Sequence, residues 1–250
     1  MSGFRTMFDH RNHRPLIIAH RGAGHRGKGA TVHENTMAAF EAAAAAGADG
    51  IEVDIHRTCD GVLVIHHDRT LQGIKTPIAA MTFAQVQRMA KTLRCIIPTL
   101  EETVRFCSRR MLLDVELKEA GYEAEIVAGC QKMIKSNQIV FTSFDPTVVA
   151  AIKSISSNAK VGLLVGMRSA GKMVARRGKR SPIALAQGCG ADFIAPHWRL
   201  ATASFCRRAE NAELPIVVWT VDRVSLAENL LKRNIPVIIT NYPHRFGIRQ

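Results

Sequence analysis

With 250 residues and 47% hydrophobic side chains, the chain has material for one large domain with a sizeable core. No stretch reaches the ~18–20 consecutive apolar residues that span a membrane, so an integral membrane segment is not expected. The net charge of +13 favours anionic partners, and six cysteines without a C-x-x-C pair exclude a zinc knuckle and read as buried thiols in a reducing compartment.

The opening MSGFRTMFDHRNHRP is basic and lacks the apolar core of a secretory signal. Residues 1–14 are therefore expected to be a poorly ordered basic segment, and the protein to be cytoplasmic. Short apolar, β-branched runs follow at Leu16 to Ala19, Gly50 to Ile55, Met111 to Leu117, Ile139 to Thr142, Val161 to Val165, Phe193 to Ala195, Ile216 to Thr220 and Val237 to Thr240. A further short run covers Val62 to Ile65.

Helix signals lie between most of these runs. An alanine-rich stretch from Asn35 to Ala46 ends at Gly47, Thr99 and Glu102 form a capping-box pattern, and Asp145-Pro146 reads as an N-cap with proline in the first turn. Eight strands alternating with helices predict a single (β/α)8 TIM barrel over residues 1–250, with a doubly wound open sheet as the alternative.

The run Ile51-Glu52-Val53-Asp54-Ile55-His56 alternates apolar and ionisable residues, so a strand there puts Glu52, Asp54 and His56 on one face. Leu113 to Lys118 repeats the pattern with Asp114, Glu116 and Lys118. Strands of a parallel sheet are covered on both faces, so both polar rows point into a common interior. Two carboxylates ~4 Å apart at an effective dielectric of ~20 repel by roughly 4 kcal/mol, which calls for protonation, a basic partner or a cation. A divalent metal is the simplest of the three.

In a barrel of this kind the chemistry sits at the C-terminal ends of the strands. His20-Arg21-Gly22, Glu52 and Asp54, Glu116 and Lys118, Ser143, His197 and Trp219 all fall there, and His66-His67-Asp68 follows the Val62 to Ile65 run. The tract Arg168 to Arg180 carries six basic residues and no acid, but no nucleic-acid motif accompanies it, so no nucleic-acid partner is expected.

Taken in order, AHRG at Ala19 to Gly22, ENT at Glu34 to Thr36, GADGIEVDI at Gly47 to Ile55, HD at His67-Asp68, IPTLEE at Ile97 to Glu102, ELK at Glu116 to Lys118, SFD at Ser143 to Asp145, WTVD at Trp219 to Asp222 and IITNYP at Ile238 to Pro243 resemble the glycerophosphodiester phosphodiesterase family. The resemblance implies a TIM barrel that uses one divalent cation, Mg or Ca, to hydrolyse a small anionic phosphodiester to sn-glycerol 3-phosphate and an alcohol. It assigns Glu52, Asp54 and Glu116 to the metal, and His20 and His67 to acid-base catalysis. Arg21 and Lys118 fall to the phosphate, Glu34 and Asn35 to orienting this shell, and Ser143, His197 and Trp219 to the pocket lining; Asp68 has a structural role and His66 none.

A lysophospholipase D-like enzyme on the same barrel and a non-catalytic phosphate-binding barrel remain as alternatives. The chain departs from the family in a long loop over the site, Ala23 to His33, whose His25, Arg26 and Lys28 either contact substrate or belong to a merely mobile segment, the reading its glycines favour. It departs also at Asn241, where the family usually has Asp, putting a charge-dependent contact there in doubt.

Overall fold

The computed structural model describes residues 15–24, 32–108, 110–167 and 181–246. The expected basic segment 1–14, the loop residues His25, Arg26 and Lys28, and the basic tract 168–180 lie outside the described residues.

Eight strands run parallel: β1 (Leu16–His20), β2 (Gly50–Arg57), β4 (Leu112–Leu117), β5 (Ile139–Ser143), β6 (Val161–Val165), β7 (Phe193–Pro196), β8 (Val217–Val218) and β9 (Val237–Thr240). They hydrogen-bond in the order β7-β6-β5-β4-β2-β1-β9-β8, and the bridges Ile194 to Ile216 and His197 to Trp219 join the two ends. The ring closes as a (β/α)8 barrel. The Val62 to Ile65 run forms β3 (Leu63–Ile65), an antiparallel partner of β2 outside the ring.

The helices that alternate with the strands begin where the sequence supplies caps. They are α1 (Met37–Ala45), α2 (Phe83–Thr92), α3 (Leu100–Cys107), α4 (Glu123–Gln131), α5 (Pro146–Ile155), α6 (Pro182–Gly188), α7 (Ala203–Asn211) and α8 (Val224–Leu231). Thr99 and Glu102 close a reciprocal capping box on α3, and the Asp145 side chain accepts from the Thr147 N–H at the start of α5.

Several boundaries shift by one or two residues, and two of the shifts have a visible cause or consequence. Helix α1 starts after Thr36, whose hydroxyl caps it, because Asn35 is in the left-handed region at φ +57° and cannot belong to the helix. The expected strand Ile216 to Thr220 shrinks to Val217–Val218 with single bridges on either side.

Alternation decides which residues face which layer. Ile51, Val53 and Ile55 of β2 and Leu113, Val115 and Leu117 of β4 pack outward against Phe40, Val104, Ile126 and Val149 of the helices. Inside the ring, Ile18, Val140, Leu164, Phe193, Ala195, Val217, Val237 and Ile239 form a separate apolar cluster. Phe193 fills the space over Gly162, where a Cβ would run into its ring.

Candidate active site

The parallel register sets Glu52 beside Asp114 and Asp54 beside Glu116, so neighbouring strands deliver four carboxylates in two adjacent rows. All four are buried. Carboxylate oxygens of Glu52, Asp54 and Glu116 lie within 4.8 Å of one another.

Two cations are folded into this acidic cluster. The Lys118 ammonium stands 2.7 Å from both Asp54 Oδ1 and Glu116 Oε1. Arg21 donates from Nη1 to Glu34 Oε1 at 3.0 Å and brings Nε within 3.2 Å of Asp54 Oδ2. A tight turn delivers Arg21: Arg21 and Gly22 are both left-handed, at φ +58° and +72°, and a Cβ at Gly22 would collide with the Ala39 backbone. The Arg21 N–H then reaches back to the Glu52 side chain at 3.1 Å. Asn35 is similarly strained and donates from Nδ2 to Asp54 Oδ2 at 2.8 Å.

Two histidines enter the same space from opposite sides of the sequence. His20 Nδ1 meets Asn241 Oδ1 at 2.7 Å, and its Nε2 faces Glu52 Oε2 at 3.8 Å. His67 Nδ1 contacts Asp68 Oδ1 at 2.7 Å, and the buried His56 donates from Nε2 to the His67 carbonyl at 3.3 Å.

Burial, reinforced by Asp54 and Glu116, pushes the Glu52 carboxyl well above its ordinary range. Burial also pushes Glu116 up to about 7 despite Lys118, and Asp114 up to about 7 despite the hydrogen bond from Thr142. Asp54 goes the other way: burial opposes its charge, but Lys118 and Arg21 override it and hold the carboxyl below the usual range. His20 and His67 are both lowered to about 4, by burial first and by the neighbouring cations Arg21 and, at His67, Lys118.

A match to the glycerophosphoryl diester phosphodiesterase family covers residues 20–245. The chain therefore belongs to this family of phosphoric diester hydrolases, which act on glycerophosphodiesters. It is 26% identical over 244 residues to a glycerophosphodiester phosphodiesterase of Caldanaerobacter subterraneus, covering 91% of this chain and 94% of the relative. Its fold matches a glycerophosphodiester phosphodiesterase from Agrobacterium tumefaciens with a TM-score of 0.73 at 22% identity, over 93% of this chain and 98% of that one. A phosphodiesterase from Oleispira antarctica, whose structure is in complex with the product sn-glycerol-3-phosphate, matches with a TM-score of 0.73 at 22% identity over 93% and 95% of the two chains.

The residues fit a hard divalent cation. Three clustered carboxylates make an oxygen-only donor set. Asn35 Oδ1 beside them is buried with no hydrogen-bond partner among the described residues, and Asp54 Oδ1 has none beyond its ion-pair contact with Lys118.

A cavity of about 230 Å³ opens at this point. His20, Arg21, Glu52, His67, Glu116 and Lys118 form its polar wall, and Phe144, Leu164, Trp219 and Ile239 face them. Trp219 is fixed by donation from its indole N–H to the Ala195 carbonyl at 2.7 Å and by edge contact with Phe144 at 5.6 Å. Glu34 and Asn35 touch Arg21 and Asp54 rather than the cavity.

Two expected pocket residues lie elsewhere. His197 is not part of the cavity wall; its ring packs edge-on against Trp219 at 5.4 Å, and its Nδ1 accepts from the Arg199 N–H. Ser143 is turned away to donate to the Leu117 carbonyl at 2.9 Å. Asp114 and Thr142 line the cavity without having been assigned a role; the alternation in β4 signalled the first, and only the strand register shows the second.

A larger cavity of about 380 Å³ adjoins, with Glu34, His66 and Asp68 on its wall and Leu71, Ile74 and Ile97 along its apolar side. A third, of about 250 Å³, lies by Pro215 and Pro236 ahead of β8 and β9, at the opposite end of the barrel.

Proposed function

We propose that the chain hydrolyses a small glycerophosphodiester to sn-glycerol 3-phosphate and an alcohol, with one divalent cation, Mg or Ca, held by Glu52, Asp54 and Glu116. The observation that carries the reading is a cavity walled by Glu52, Glu116, two cationic side chains and two histidines, with the buried Asp54 carboxylate within 4.8 Å of the other two. Held by these three carboxylates, such a cation would supply Lewis acidity and a counter-charge for the anion that grows in the transition state.

The chain's own residues supply the rest. Arg21, steadied by Glu34, offers a guanidinium fork to two phosphoryl oxygens. Lys118, on a flexible stem among the carboxylates and on the cavity wall, offers its ammonium to the phosphate. Asn35 orients Asp54 through its amide. His20 and His67 flank the phosphorus on opposite sides, one taking the proton of the nucleophile and the other giving a proton to the leaving oxygen. Burial, aided by Arg21 and, at His67, by Lys118, lowers both to about 4 and so favours the neutral ring at pH 7, and the arriving anion favours the charged form of the one that donates. Trp219, backed by His197 and Phe144, forms the apolar wall for the glycerol carbons.

The substrate is a small anion, so no nucleic acid enters the reaction, and among the described residues no helix is long and apolar enough to cross a membrane. A lysophospholipase D-like activity is the second reading, favoured by the apolar side of the 380 Å³ cavity next to the catalytic wall.

Incubating glycerophosphocholine, glycerophosphoethanolamine and a lysophospholipid with the protein and each metal tests both readings. Release of glycerol 3-phosphate from the first two supports the proposal, and choline release from the lysophospholipid alone supports the second. His20→Ala and His67→Ala are each expected to lose about 10² or more in turnover while keeping metal affinity. Near-normal turnover in either would contradict the assigned pair.

A further inference from the structure

Asp222 gathers donors at the end of the barrel next to His20. The Thr240 hydroxyl and the Asn241 N–H donate to its Oδ1 at 3.1 and 2.9 Å, and the Asn241 side-chain amide donates from Nδ2 to its Oδ2 at 2.9 Å. A carboxylate only accepts, so the Asn241 amide has one orientation that satisfies it. The oxygen is then the atom turned to His20, 2.7 Å from Nδ1. An amide oxygen also only accepts, so the His20 proton must reside on Nδ1 in the neutral ring. Nε2 is left with its lone pair toward the cavity, on the side of Glu52.

We propose that Asn241, oriented by Asp222, is a positioning residue that holds His20 in its Nδ1–H tautomer and so makes Nε2 the atom that exchanges protons with substrate. The catalytic consequence rests on the acid-base role given to His20 above; the tautomer itself does not. The device spans 221 residues of sequence from His20 to Asn241, and Asn241 directly follows β9, the strand paired to β1. Asp222 and Asn241 are matched as one acceptor and one donor. A carboxylate at both positions would oppose like charges at hydrogen-bond distance, and an amide at both would free residue 241 to turn its NH2 toward His20. Exchanging the two residues keeps the match.

The test is side-chain 15N–1H correlation spectroscopy of the 15N-histidine-labelled full-length protein, with His20→Gln used to assign the His20 signals, together with kcat and KM for glycerophosphocholine. Wild type is expected to show the Nδ1–H form of His20. Asp222→Asn is expected to admit the Nε2–H form and to lower kcat by about tenfold or more with KM within about twofold. Asn241→Asp is expected to lower kcat similarly, and the double exchange Asp222→Asn with Asn241→Asp to restore both the tautomer and most of kcat. An Nε2–H ring in wild type, which needs no variant to fold, would overturn the proposal. So would a folded double exchange no better than the single variants, or Asp222→Asn with tautomer and kcat unchanged. Normal turnover in His20→Ala would instead remove the catalytic role of His20 while leaving the tautomer assignment to the spectrum.

Discussion

The inside of the barrel is two chemically different halves. Strands β2 and β4 present Glu52, Asp54, Asp114 and Glu116 inward, compensated by Arg21 and Lys118. Across from them β5 to β9, with Ile18, present Val140, Leu164, Phe193, Ala195, Val217, Val237 and Ile239. Both halves are buried to the same degree, but only the apolar one gains from burial. The acidic half is held against it, as the raised carboxyls of Glu52, Glu116 and Asp114 show. Stability and chemistry are thus assigned to opposite walls, and the low-dielectric wall strengthens every charge interaction made by the other.

The largest effect is expected from breaking the acidic half. Glu116→Gln keeps the shape but removes one anion, and turnover should fall about 10³-fold or more, the equivalent of several kcal/mol of lost transition-state stabilisation. Steady-state assays at saturating metal check this.

Breaking the apolar half should do the reverse. Phe193→Ala empties the space over Gly162 and is expected to destabilise the fold by about 3–5 kcal/mol in denaturant titration, with metal affinity and turnover per folded molecule nearly unchanged. A Phe193→Ala protein that loses metal affinity would show that the two walls are not separable.

The acidic half also carries a pH signature. Burial lifts Glu116 to about 7 and Glu52 well above its usual range, so the metal-free site holds protons below about pH 7 that a cation must displace. Metal affinity is therefore expected to rise toward pH 7–8 and to weaken as pH falls, by about tenfold per pH unit for each proton released. Calorimetric titration in buffers of different ionisation enthalpy measures both the affinity and the proton count.

The smallest effect is global. With a net charge of +13 the surface attracts an anionic diester, so kcat/KM is expected to fall severalfold as salt screens charges beyond a Debye length of about 8–10 Å, with kcat unaltered. A flat salt profile would rule out steering.

The strand alternation made the acidic half legible in the sequence, because period 2 fixes the face of Glu52, Asp54 and Glu116 wherever the strand sits. Local caps were equally legible at Thr99 and Asp145. The start of α1 was not, since Asn35 carries no mark of a left-handed backbone and an alanine-rich stretch hides where the cap falls. His197 was read as pocket lining from its place after β7, but its ring direction depends on Trp219, a contact no local pattern encodes. The partners of His20 were hidden for the same reason: Asn241 and Asp222 reach it only through the pairing of the first and last strands.

The most direct test of the proposed chemistry is to strip the protein of metal with a chelator, remove the chelator, and follow glycerol 3-phosphate release while Mg or Ca is added back. Activity should be absent at the start and should rise to a plateau at one bound ion per chain. Full turnover by the stripped protein, or restored activity in Glu116→Gln at the same metal concentration, would contradict a catalytic cation at Glu52, Asp54 and Glu116.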